Sequence, residues 1–101
     1  MTHRLILRPA ARRDLAEIWT FTADRWSVSQ ANRYLAGLQE VFNLICQSPE
    51  IARSSRLFNR PVRLHPYRSH LVIFAADDAV IDVIRVVHAR SNWQALSLNG
   101  D

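Results

Sequence analysis

Arg85, His88 and Arg90 stand where an apolar run, Val80 to Val87, gives out, and Trp93 follows three residues later. Guanidinium and imidazole groups gathered with a ring at the end of a strand suit recognition of an anionic ligand or a partner protein. The same residue types could cleave RNA. That chemistry needs a base for the 2′-hydroxyl proton, an acid for the leaving oxygen and cations to hold the developing phosphorane charge. Arg63, Arg68 and Arg85 could hold the charge, with His70, His88 or Tyr67 moving protons. Two plainer roles compete. His88 also reads as a strand end bonded to its own neighbourhood, and Arg85 needs either a functional contact or a paired carboxylate within an apolar strand. Asp82, three positions earlier, projects to the opposite face of a regular strand and so is not its simple partner.

Other chemistries are excluded by what the chain lacks. His3, His65, His70 and His88 show none of the paired short spacings of zinc ligands, so no metal is expected. With two glycines, Gly37 and Gly100, no phosphate-cradling loop can be built, and no cofactor is expected. No serine or cysteine nucleophile sits in a recognisable triad frame. Cys46 falls on the apolar stripe of an expected helix and reads as buried filler. All thirteen cationic side chains are arginine, which removes lysine from the possible acids, bases and nucleophiles. Arginine stays charged at any physiological pH and grips carboxylate or phosphate through a planar fork, a docking chemistry. The net charge of +4 permits nucleic-acid binding without showing it.

At 101 residues and 49% hydrophobic content the chain can build one domain around one modest core. It has no apolar run of about 20 residues to span a bilayer, its N-terminus lacks a signal-peptide pattern, and a lone cysteine fits a reducing cytoplasm.

The elements that must position the candidates follow from periodicity. His3 to Arg8 is a short apolar strand that stops at Pro9, a residue suited to the first turn of a helix. Leu15, Ile18, Trp19 and Thr22 recur at helical spacing up to Trp26. Ser27 and Gln30 form a capping-box signature, with Trp26 placed to staple against Ala31. Ala31, Tyr34, Leu35, Leu38, Val41, Phe42 and Ile45 then mark one face of a second helix, closed by Pro49. Gly37 inside it weakens the helix and signals close packing. A turn this short makes the helices an antiparallel hairpin. Ser48 to Arg60 reads as a polar loop pinned by Leu57 and Phe58. Three strands follow, Val62 to Tyr67, His70 to Ala75 and Val80 to His88, in a meander with tight connections. Along the last strand Ile81, Val83 and Val87 alternate with Val80, Asp82, Ile84, Val86 and His88, so both faces are apolar. The helical hairpin covers one; the second calls for another cover, such as a partner chain. Trp93 lies in a short C-terminal helical turn, either as a lid on the core or as an interface anchor. The expected class is α+β, in the order β-α-α-β-β-β, with the hairpin packed on an antiparallel sheet.

In that order the chain resembles the ParE branch of the RelE/ParE toxin superfamily. The resemblance covers the whole chain, residues 1–101, as one domain. It is carried by Pro9-Ala10-Ala11 with Asp14-Leu15 and Ile18, by Trp26, Gln30-Ala31 and Tyr34, by Pro61-Val62-Arg63, and by Tyr67 with His70-Leu71-Val72-Ile73-Phe74. Ile84-Arg85-Val86-Val87-His88-Ala89-Arg90 completes it. It implies a cytoplasmic toxin of a type II toxin–antitoxin system that arrests growth by binding DNA gyrase and is neutralised by a ParD-like antitoxin. Sequence-specific nucleic-acid binding would come only through the antitoxin complex. Partner contacts are expected at Arg63, Tyr67, Arg85, His88, Arg90 and Trp93. The RelE branch, a ribosome-dependent mRNA endonuclease, is the alternative, and there Arg68, Arg85 and His88 would be catalytic; an inactive partner-binding module is a third. Asn92 stands where the family tail carries an acidic residue.

Overall fold

The structure, a computed structural model, describes residues 2–56, 58 and 60–96. Strand β1 (Arg4–Leu7) leads into α1 (Pro9–Arg25), and α2 (Val28–Gln47) follows after a two-residue link. A 3-10 turn (Pro49–Ile51) precedes β2 (Arg53–Ser55), then β3 (Val62–Tyr67), β4 (His70–Ala76), β5 (Val80–His88) and a last 3-10 turn (Trp93–Ala95). The strands form one sheet in the order β1-β5-β4-β3-β2. The expected α+β arrangement is present, and the sheet is mixed. β1 runs parallel to β5, because the helical hairpin carries the chain back to the starting end before the meander begins. β2 is an added edge strand of three residues, Arg-Ser-Ser, too short and polar to declare itself in the loop where it lies. Among the described residues no helix is long and apolar enough to cross a membrane.

Local chemistry sets the element ends. Pro9 opens α1, where its missing N–H costs nothing. Ser27 caps α2 by accepting from the Gln30 backbone N–H at 3.0 Å. Trp26 does not act as a staple; it is 64% exposed. Trp19 instead ties the helices, donating from Nε1 to the side-chain Oδ1 of Asn32 at 2.9 Å. Arg68 sits at φ 50° in the two-residue β3–β4 turn, the left-handed geometry such hairpins require. In the β4–β5 turn the Asp77 carboxylate accepts from the backbone N–H groups of Ala79 and Val80, at 2.8 and 2.7 Å. Those two bonds favour its charged form and hold it below the usual carboxylate range.

The sheet carries a core on each face. On one side Ala11, Ile18, Leu38, Phe42 and Ile45 from the hairpin meet Val72, Phe74, Ile81, Val83 and Val86. Burying each of the larger side chains contributes about 1.5–3 kcal/mol. On the other side Val62, Leu64, Leu71, Ile73, Ile84 and Val87 pack under Trp93, with Phe58 and Leu96 at the margin. The second face is thus covered by the chain's own tail and loop. Leu57, the other expected pin, lies outside the described residues.

Simple alternation fails in β5. The register shifts between Ile73 and Phe74, which face Arg85 and Val83, so Ile84 is an extra residue. Beyond this bulge the parity inverts: Val86 faces the hairpin with Ile81 and Val83, whereas Ile84 and Val87 face Trp93.

Candidate functional site

The inverted parity puts His88 directly across from His70, and His70 lies across from Tyr67 on the next strand. Directly opposed residues share a face. Three side chains therefore line up at one end of the sheet, beneath α2. The His70 and His88 rings meet edge to face with centroids 5.4 Å apart. Tyr34 comes down from α2 and places its hydroxyl 2.6 Å from Nδ1 of His70. Its ring meets Tyr67 edge to face at 5.0 Å. Arg68, next in the turn, lies 5.8 Å from the centre of the Tyr67 ring.

Gly37 makes this possible. A Cβ at that position would fall 2.6 Å from Cζ and 2.9 Å from Cε1 of Tyr67, closer than atoms pack. The helix gives up a side chain so that the ring can pass against its backbone.

Burial depresses the His70 pKa below the ordinary imidazole value, the neighbouring His88 adds to this, and the Asp14 charge opposes it. Burial also raises the Tyr34 phenol. Both groups are neutral near pH 7, and of the two a phenol O–H is the stronger donor and an imidazole nitrogen the stronger acceptor. Tyr34 accordingly donates to Nδ1 of His70, and the ring proton of His70 resides on Nε2. His88 accepts the Arg90 backbone N–H on its own Nδ1 at 3.1 Å, which leaves Nε2–H as the donor of that ring.

Arg85 is placed elsewhere in chemical terms. Its Nε and one terminal nitrogen donate to the two Asp14 carboxylate oxygens at 2.7 and 2.9 Å. Asp14, 8% exposed, also accepts the Val86 backbone N–H at 2.9 Å. Asp82 pairs with Arg8, as its position on the opposite face of the strand requires, at 2.8 Å. Arg63 donates to the Ala52 carbonyl at 2.8 Å and fastens β3 to the chain before β2. Arg90 is exposed on the tight turn that ends β5, where the Ser91 hydroxyl donates to the His88 carbonyl at 2.6 Å. Trp93 is 7% exposed and lies 6.3 Å from Phe58, a lid on the second core.

Of the residues singled out from the sequence, Tyr67, Arg68, His70 and His88 come together. Arg85 and Trp93 share with the two histidines only the cleft beside the exit of β5, and Arg63 lines neither cleft beside the histidine pair. Sequence reasoning missed Tyr34 and Asp14. Tyr34 was hidden as one more ring on an apolar stripe. Asp14 carried a usable signal: it lies on the Ala11, Ile18, Thr22 face, where a carboxylate must find a partner.

Two clefts flank the histidine pair. One, about 540 Å³, lies between the hairpin tip and the β3–β4 turn, against Arg33, Tyr34, Tyr67 and Arg68. The other, about 490 Å³ and mostly apolar, runs between α1 and the exit of β5, against Ile18, Val87, Trp93 and Leu96. Phe21, His70 and His88 line both. Among the described residues, no three histidine, cysteine or acidic side chains gather to hold a metal ion. Burial pushes the Cys46 thiol up, away from reactive thiolate.

Comparison with known proteins agrees with this layout. Residues 5–93 match the family model described as ParE toxin of type II toxin-antitoxin system, parDE. Toxin ParE1 of Mycobacterium tuberculosis is 37% identical over 91 residues, covering 89% of this chain and 93% of that protein. Toxin ParE1 of Caulobacter vibrioides is 32% identical over 85 residues, covering 84% and 88%. A solved structure titled Chromosomal ParDE TA system from P. aeruginosa superposes with a TM-score of 0.71 at 17% identity, over 86% of this chain and 96% of that one, a likeness of fold. With its helical hairpin, its sheet and nearly its whole length matched, the chain belongs to the ParE toxin family of type II toxin–antitoxin systems.

Proposed function

We propose that this toxin acts by binding DNA gyrase rather than by cutting RNA, and that a ParD-like antitoxin neutralises it in the cytoplasm. The observation that carries the choice is the Asp14–Arg85 ion pair. Of the three groups a nuclease would use here, Arg68, Arg85 and His88, one is already committed to a buried carboxylate. A cation that follows developing phosphorane charge has to be available to it. Arg90, His88, Tyr67 and Arg63 are the contacts assigned to gyrase. Arg85 and Trp93 act behind them, by fixing β5 and the tail.

The antitoxin reading rests on the apolar cleft beside the exit of β5. A disordered segment with apolar and acidic side chains would fold into it, its rings and aliphatic groups against Ile18, Val87 and Leu96, its acids toward nearby arginines.

The test is induced expression followed by two readouts. Gyrase-linked DNA breaks with a DNA-damage response are expected, together with loss of both on Arg90→Ala. Ribosomal A-site cleavage of mRNA, abolished by His88→Ala, would overturn the proposal in favour of the endonuclease reading. That second reading draws on the His70–His88 pair, whose adjacent imidazoles are suited to proton transfer.

A further inference from the structure

The cleft between the hairpin tip and the β3–β4 turn has a lining unlike that of its neighbour. It contains no aspartate or glutamate, whereas the cleft across the histidine pair is lined by Asp14 and Glu17. Its walls carry Arg33 and Arg68, neither with a carboxylate partner among the described residues. The hydrogen bonds fixed above leave both histidines with Nε2–H as the free ring donor, because each Nδ1 is occupied as an acceptor. Neutral imidazoles in this tautomer cannot offer a lone pair to a metal from Nε2, but they can donate to an oxyanion. Two imidazole donors and two guanidinium groups thus surround one acid-free volume. Beside them stand Phe21 and Trp26, 65% and 64% exposed, two ring faces open at the wall of the cleft.

We infer that this cleft binds a nucleotide, its phosphate held by His70, His88, Arg33 and Arg68 and its base stacked on Trp26 or Phe21. The ligand is a free mononucleotide or one unit of a single strand; the chemistry is shared. Arginine forks and imidazole N–H groups suit phosphate oxygens, and exposed aromatic faces accept any base, so recognition is independent of sequence. The volume, about 540 Å³, falls in the range of small-molecule sites, roughly 300–1,000 Å³. No glycine-rich loop is needed, since side chains rather than backbone amides supply the donors. An acidic peptide would satisfy the cations and leave the rings idle. The inference goes beyond gyrase binding and shares only His88 and Tyr67 with it; Arg33, Arg68, His70 and Trp26 have no part in that reading.

The full chain, isotopically labelled at its histidine rings and tryptophan indoles, is titrated with adenosine 5′-monophosphate, inorganic phosphate, a short single-stranded oligonucleotide and polyglutamate. The monophosphate should move the His70, His88 and Trp26 signals together, and inorganic phosphate the histidines alone. Tighter binding of the oligonucleotide than of the monophosphate identifies a strand as the source; equal or weaker binding identifies a free nucleotide. Replacing Arg33 and Arg68 by glutamine should weaken the monophosphate at least about tenfold without lowering the unfolding midpoint. Tyr34→Phe, which frees the His70 tautomer, should weaken it less. The inference is overturned if neither nucleotide probe moves the His70 and His88 signals. It is equally overturned if polyglutamate moves them at lower concentration than both, or if the double glutamine variant binds the monophosphate as well as the parent.

Discussion

Asp14 and Arg85, 71 positions apart in the sequence, close a two-pronged ion pair that joins the first helix to the last strand. The same carboxylate satisfies the Val86 backbone N–H, which lies just past the β5 bulge. β1 pairs with β5 only as far as Val83, so Asp14 takes over where that strand stops.

Removing the carboxylate strands both partners. Asp14→Ala should cost about 2–4 kcal/mol, because a buried N–H and a guanidinium lose their acceptor together. Asp14→Asn, which can still accept from Val86, should cost less. Denaturant unfolding of the two variants, and of Arg85→Met alone and combined with Asp14→Ala, measures the coupling. Additive effects in that cycle would mean the pair is not a unit.

Gly37 and Tyr67 give a sign reversal. In most exposed helix positions alanine for glycine stabilises by about 1 kcal/mol. Here the added methyl meets the Tyr67 ring, so Gly37→Ala should destabilise by about 1–3 kcal/mol. In a Tyr67→Ala background the same change should stabilise. Thermal unfolding of the four proteins reads this directly.

His70 makes stability depend on pH in a defined direction. Its folded pKa lies below the ordinary 6.5, chiefly through burial and secondarily through His88. The unfolded chain therefore binds a proton that the folded one resists, and stability falls as pH drops below about 6.5 and returns above it. Urea unfolding between about pH 5 and 8 should show the slope, and His70→Gln should flatten it.

Trp93 and Arg90 separate folding from function. Trp93→Ala opens the second core and should cost about 3–5 kcal/mol, a large part of a small domain's stability. Any loss of toxicity in it should follow the fraction folded, with Trp93→Phe retaining most of both. Arg90→Ala, at an exposed position, should lose toxicity at an unchanged unfolding midpoint.

Much of this was legible from spacing. Both helices, the Ser27 cap and four of the five strands follow from periodicities of 3.6 and 2 and from turn residues, all of which are local signals. What escaped was non-local. Asp14 and Arg85 look like two isolated charges until the fold closes the distance. β2 is held by pairing with β3, a contact that Arg-Ser-Ser cannot advertise. Strict alternation put Val87 with Ile81 and Val83, and one unpaired residue was enough to make Val86 the true companion. For the site, His70, His88, Tyr67 and Arg68 were visible as chemistry-bearing residues. Their meeting was not, because it depends on that same residue and on a glycine whose meaning is the ring above it.

Ile84 thus works as a spacer that sets handedness for everything downstream. If Ile84 were instead paired in ordinary two-residue alternation, every residue after it would slip by one position and the end of β5 would turn half a rotation. His88 would then look toward the tail instead of toward His70, with not one residue changed. In this scaffold one residue left out of the ladder decides whether the paired imidazoles exist at all.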